Sequence, residues 1–419
     1  MKKAPLLLAI SISLFAGIFF ALLPSRLAMP MTQTFSNDAV SYHEGAIHIA
    51  RSGFYSRDGV TPTAGREPGY SFFLAGIYKI FGEGNRTAIY IAQALLHLVA
   101  TLFFFSEFRR VAGERTALMA AGFLLLLPGI FHGFFTVYRE SLALSLFLLT
   151  IASVFRTQRT MKVWNVVLSG MLFGILILTY IPLMFFPFFM GAGLWYMRFK
   201  KQDIAIIIIL PLLFLLGWGI RNDIHGEWQL LNPFRSAGTW RMRAIHAEMQ
   251  DPLDPLRCLY SEYISHDRST VPKGLCHPED VLEVEWVEPF PETIPKVRAL
   301  EREAKRRILH HLPMYLWGSS VWSIEYHLPF LNGWGFTYNL LESLGALLIY
   351  IGCGAFLLRA KKFWKREYIL FILPILYGTT LFSLTQALPR YRVPIIFCYI
   401  AISAIGYASV KREKASPRT

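Results

Sequence analysis

The sequence predicts an all-α polytopic membrane protein, and three observations carry that prediction. The 419-residue chain is 54% hydrophobic and only 17% charged, against roughly 25% charged in an average soluble domain. Apolar runs near the length of a bilayer crossing recur along it, with a mean hydropathy of +0.40; about 20 apolar residues span a hydrocarbon core of roughly 30 Å. The runs do not alternate polar and apolar, so they are not barrel strands, and helices are the remaining way to satisfy a backbone in lipid.

Taken in order, spans are expected near 5–23, 88–106, 117–131, 134–155, 163–180, 182–197, 204–220, 336–358, 368–386 and 391–409. The first follows Met1-Lys2-Lys3 and resembles a signal peptide. Its apolar run is long, and Pro24-Ser25-Arg26-Leu27-Ala28 offers no small-x-small cleavage site, so it reads as an uncleaved span. About ten spans place both termini on one side together with every basic cluster: Lys2-Lys3, Arg109-Arg110, Arg156 with Arg159, Lys200-Lys201, Lys361-Lys362 and Lys411-Arg412. Under the positive-inside rule that side is cytoplasmic. The net charge of +14 is therefore a topology signal. No basic face interleaved with aromatics points to nucleic acid.

This layout divides the chain into a transmembrane module (1–220), an external loop region (221–335) and C-terminal spans (336–419). The first external loop, 24–87, is long, and its 71–81 stretch is apolar but too short to span, as expected of an interfacial helix. Residues 311–331 read as a further re-entrant or interfacial helix, with Trp317, Trp322 and Trp334 suited to an interface belt. The 221–310 segment holds 15 of the 28 acidic residues, together with Cys258 and Cys276, between which a disulfide can form if the loop is extracytoplasmic. Cys353 and Cys398 fall inside apolar runs and read as packing residues. No internal repeat of the kind that builds many transporters is evident.

Candidate chemistry gathers at the outer rim. Asp38 and Tyr42 are four apart and share a face if helical, as do Glu44 and His48. A carboxylate there can act as a general base or hold a cation; equally, Asn37-Asp38 suits a helix start. Pro68-Gly69 forces a turn that fixes Arg66 and Glu67, and an arginine fork suits phosphate. His132, Tyr138, Arg139 and Glu140 sit at the outer boundary between the third and fourth spans, where ionisable groups face a cavity or snorkel. Arg390 and Arg392 lie on the side where positive charge is sparse. Nucleotide-binding and hydrolase motifs are missing from the sequence. A lipid-linked oligosaccharide transporter would carry ionisable groups in mid-span, and these spans have almost none. A polysaccharide polymerase or ligase is the other rival, also many-spanning with a large external loop.

Several segments together resemble the GT-C superfamily of membrane glycosyltransferases, in its family-39-like and aminoarabinose-transferase-like branches. They are Asp38 with Tyr42, the Arg66-Glu67-Pro68-Gly69-Tyr70 segment running to Tyr78-Lys79-Ile80-Phe81-Gly82, Tyr138-Arg139-Glu140-Ser141-Leu142, and Pro389-Arg390-Tyr391-Arg392-Val393-Pro394. The resemblance implies a polyprenyl-phosphate-linked sugar donor and inverting transfer to a glycan, glycolipid or protein at the external face of a bacterial inner membrane. It implies Asp38 as base, Glu67 assisting, and Arg66, Arg139, Arg390 or Arg392 on the phosphate, with Tyr42, Tyr138 and Glu140 lining the site. A divalent cation, magnesium or manganese, is a candidate cofactor at Asp38. Many members have adjacent Asp-Glu there, whereas Ala39 follows Asp38 in this chain.

Overall fold

A computed structural model of the protein describes residues 3–35, 38–63, 66–225, 244, 247, 251–260, 294–327, 336–384 and 389–415. The described residues are overwhelmingly helical, with one isolated bridge between Ser56 and Pro62. Two units are distinguishable: Met1–Trp228, Pro329–Tyr377 and Val393–Thr419 form the first, and Gln229–Leu328 with Gly378–Arg392 form the second.

The first unit opens with α1 (Lys3–Leu27), the short α2 (Met31–Thr34), α3 (Asp38–Ser52) and α4 (Pro68–Phe81). It continues through α5 (Arg86–Ala112), α6 (Glu114–Leu126), α7 (Pro128–Phe134), α8 (Arg139–Thr160), α9 (Val163–Thr179), α10 (Phe186–Tyr196) and α11 (Lys201–Ile224). The second unit contains α12 (Asp254–Tyr260), α13 (Ile294–His310) and α14 (Leu312–His327). The remaining helices are α15 (Phe336–Phe363), α16 (Ile369–Leu384) and α17 (Ile396–Ala415).

Among the described residues, six helices are long and apolar enough to cross a membrane. They are Pro5–Leu27, Arg86–Ala112, Arg139–Thr160, Lys201–Ile224, Asn339–Phe363 and Arg392–Val410. The α6–α7 pair, bent by 52°, adds a seventh if it is one span. Ten is reached only by counting α9, α10 and α16 as well. Proline explains where the prediction and the helices part. Pro128 lacks an amide hydrogen and breaks the predicted 117–131 span after Leu127. Pro182 sits in a 3-10 turn and Pro187 at the start of α10, which leaves that helix 11 residues. Pro374 lies inside the 16-residue α16.

The centre of the first unit is α8, whose apolar window is 83% buried, whereas that of α1 is 11% buried. Phe104 and Phe108 of α5, Phe147 and Phe155 of α8, Phe371 of α16 and Phe397 of α17 interlock with ring centroids 5.0–6.5 Å apart. Aromatic pairs of this kind add roughly 0.5–1.5 kcal/mol beyond their burial. Polar groups between helices are mutually satisfied: Ser153 Oγ meets Ser169 Oγ at 2.8 Å, and Arg159 Nη2 meets Glu107 Oε1 at 3.0 Å.

The segment before α4 is held without regular structure. Asp58 Oδ1 accepts from the Ser56 hydroxyl and from the Val60 and Thr61 amides, at 2.7–2.8 Å. Those backbone donors hold its carboxyl well below the usual carboxylate range. Arg221 of α11 donates to Thr63 O and Tyr55 O, both at 2.9 Å. Its guanidinium stacks on Trp218 at 5.0 Å. The turn is thus strapped to a membrane-length helix.

Candidate active site

Asp38 opens α3, where the helix macrodipole favours a carboxylate. The helix-start reading is therefore satisfied, and Tyr42 follows on the same face, fully buried. Arg66 and Glu67 stand just ahead of α4, whose first turn takes Pro68, the position where proline is least costly. Gly69 packs against the end of α9. A Cβ there would lie 2.5 Å from Thr179 Oγ1 and 2.8 Å from Thr179 N, so only glycine permits this approach. Arg139 and Glu140 form the first turn of α8, with Tyr138 as its cap residue.

These elements bring two acids and two guanidinium groups together around one phenol. Arg66 Nη2 donates to Asp38 Oδ1 at 2.5 Å. Arg139 pairs with Glu67. The Tyr42 hydroxyl donates to Glu67 Oε2 at 3.4 Å, and Arg66 Cζ lies 5.6 Å from the Tyr42 ring centroid. Burial holds the Tyr42 phenol well above its ordinary pKa, Arg139 opposing and Glu67 reinforcing. The phenol is consequently a donor here, and the carboxylates are acceptors. Exposure separates the two: the Asp38 side chain is 27% exposed and that of Glu67 is 2% exposed. Asp38 can meet a substrate; Glu67 anchors Arg139. Arg66 Nη1 is buried and has no hydrogen-bond partner among the described residues.

Glu140 is buried close enough to act electrostatically on Tyr42 and Tyr70. His132 ends α7. Glu44 turns to Arg57 at 3.0 Å instead of to Asp38. His48 lies against Gly59, away from any acid of the site. Arg390 and Arg392 fall in the 3-10 segment Pro389–Ile395. Arg392 is buried and its Nη1 donates to His327 O at 2.5 Å, within the second unit. Cys258 is disulfide-bonded; Cys276, its expected partner, lies outside the described residues, as does Trp334. Cys353 and Cys398 are free thiols.

Three contributors were not singled out from the sequence. Gln93 of α5 accepts from Tyr70 OH at 2.9 Å and from Ser141 Oγ at 2.7 Å, and donates to Phe134 O at 3.0 Å and Thr136 O at 3.2 Å. It thereby locks α4 to the start of α8. Tyr180 offers its ring to Arg139, 5.0 Å from Cζ to centroid. Tyr55 donates to Arg66 O at 3.3 Å, and burial pushes its phenol up to about 12. A polar residue within an apolar span was the available signal for Gln93.

A divalent cation fits this donor set poorly. Asp38 and Glu67 each face a guanidinium, and no group of three ligating side chains occurs among the described residues.

The profile of the dolichyl-phosphate-mannose-protein mannosyltransferase family matches residues 63–218. Among solved structures, archaeal oligosaccharyltransferase AglB from Archaeoglobus fulgidus, in complex with an inhibitory peptide and a dolichol-phosphate, superimposes with a TM-score of 0.52. It is 14% identical, over 100% of this chain and 52% of that one. The Archaeoglobus fulgidus oligosaccharyltransferase complex with Zn and sulfate gives a TM-score of 0.55 at 13% identity, over 98% and 49%. The chain spans about half the length of these structures. No curated protein matches it. The resemblance to GT-C membrane glycosyltransferases thus holds both in a family profile and in fold.

Proposed function

We propose that the protein is a membrane glycosyltransferase that moves a sugar from a polyprenyl-phosphate-linked donor to a hydroxyl acceptor, with inversion. The reaction sits on the external face of a bacterial inner membrane that the chain crosses about ten times. The observation that carries this reading is the convergence of Asp38, Arg66, Glu67 and Arg139 around Tyr42. Such a transfer needs a base for the acceptor proton and positive charge for the leaving phosphate.

Asp38, the exposed acid, takes the proton as the acceptor oxygen attacks the anomeric carbon. The bond from that carbon to the phosphate oxygen breaks, and the electron pair leaves with the polyprenyl phosphate. Arg66, beside Asp38, supplies positive charge for that anion. Arg139, paired to buried Glu67, fixes the local charge. Tyr138 and Glu140 border the same turn, and Arg390 and Arg392 are further phosphate candidates. With two arginines beside the acids, no step is assigned to a metal.

Support comes from the match to a family described by dolichyl-phosphate-mannose and from an AglB structure holding a dolichol-phosphate. The test is Asp38→Asn in native membranes, with cell-envelope glycans read by mass spectrometry. Loss of one sugar at normal protein level is expected; transfer near wild type would remove Asp38 from the mechanism. Intact glycans with lipid-linked precursor held on the inner leaflet in a deletion strain would instead indicate a transporter.

A further inference from the structure

In the second unit, α13 packs through one face. Ala304 and Ile308 are buried against Ala244, Ala247 and Tyr315. At 3.6 residues per turn, Arg302, Lys305, Arg306 and Leu309 fall on the outward side and all four are exposed, together with Glu303, which pairs with Arg306 at 3.0 Å and leaves the face with net positive charge. The helix carries six basic residues against two acidic ones, Glu301 and Glu303.

The next helix, α14, divides differently. Gly318, Ser319 and Val321 face inward and are buried. Leu312, Leu316, Ser320 and Ile324 recur every fourth residue on the exposed side, beside Trp317. No charge appears from Leu312 to Ile324. Leu309 is 70% exposed, Leu316 50% and Trp317 44%. Trp317 Nε1 nevertheless donates to Pro252 O at 2.7 Å, so the ring is held in place. Leu253, next to that carbonyl, is exposed too.

A helix facing water would be polar on its outer side. One crossing the bilayer would need about 20 apolar residues, and α14 has 16 in all. An apolar helix of that length next to a basic one matches the interfacial pattern, with aliphatic side chains at the acyl boundary and cations among headgroups. A second copy of the same surface would meet it with like charge. We propose that α13 and α14 dock on an anionic phospholipid leaflet. Arg302, Lys305 and Arg306 engage lipid phosphates, and Leu309, Leu312, Leu316 and Trp317 enter the acyl boundary.

The test uses the full chain in nanodiscs with a nitroxide on Ser320→Cys, an exposed site. A second label on Val60→Cys, in the 81%-exposed loop position, is the aqueous reference. The ratio of oxygen to nickel-chelate accessibility should be several-fold higher at 320 than at 60 in discs containing phosphatidylglycerol. It should fall towards the reference in phosphatidylcholine discs and in an Arg302→Glu, Lys305→Glu, Arg306→Glu variant whose spans remain folded by circular dichroism. Equal ratios at 320 and 60 would overturn the proposal. So would a ratio indifferent to lipid charge, or protection from both reagents, which would mean a protein covers the face.

Discussion

At the residue scale, the Glu67–Arg139 pair decides whether the site holds together. Both side chains are nearly inaccessible, 2% and 8% exposed, so each relies on the other's opposite charge, beside the Tyr42 hydroxyl for Glu67 and the Tyr180 ring for Arg139. Breaking one partner of a buried pair costs about 3–5 kcal/mol, because a charge is left behind. Arg139→Met should therefore lower the detergent unfolding temperature markedly, and Arg139→Met combined with Glu67→Leu should recover much of the loss. Additive losses would mean the two charges are held by other partners. His327 makes a different prediction. Burial, reinforced by Arg392, pushes its pKa down to about 4 from an ordinary 6.5. The folded state thus binds fewer protons, and this contribution to stability is present above pH 6.5 and lost as pH falls towards 4. Unfolding temperature should drop across that window, and His327→Gln should flatten the drop. Asp38, Arg66, Glu67 and Arg139 were legible in the sequence because charge at the rim of an apolar bundle is costly and stands out. The resemblance implied Asp38 as base with Glu67 assisting, but the burial of one acid and the exposure of the other were not legible. Exposure separates Asp38 from Glu67 although each is a carboxylate paired with an arginine.

At the element scale, α4 and α8 must arrive at a fixed distance for that pair to form. Gly69 sets the approach of α4 to α9, and Gln93 ties Tyr70 of α4 to Ser141 of α8. Gly69→Ala puts a methyl group against the Thr179 backbone, which cannot rotate away. A cost of about 1–3 kcal/mol is expected, with transfer reduced more than protein level. Unchanged activity at full expression would show that α4 shifts freely. The sequence marked the Pro68-Gly69 turn but not its close contact, since Thr179 is 110 residues away (179 minus 69). Helix ends were likewise hard to place where proline interrupts an apolar run, as at Pro128 and Pro182. Hydropathy averages over such residues, whereas the backbone does not.

At the scale of the whole molecule, the polytopic helical class was plain from composition, because a bilayer imposes its solvent on every span. Residues 261–293 carry no motif, and they lie outside the described residues. With positive charge at the site supplied by Arg66 and Arg139, activity in purified membranes should survive EDTA within about twofold, a change of roughly 0.4 kcal/mol or less. A tenfold loss restored by magnesium or manganese would assign a cation to the site instead. The Glu67–Arg139 pair also has a consequence in time. Its partners are 72 residues apart (139 minus 67), and synthesis runs at about 5–20 residues per second, so Glu67 waits roughly 4–14 s for its cation. Through that interval Glu67 has the Tyr42 hydroxyl but not the arginine it pairs with, and α4 is expected to complete its packing only when α8 enters. Nascent chains stopped before Arg139 should leave α4 open to protease, and those stopped beyond α8 should protect it.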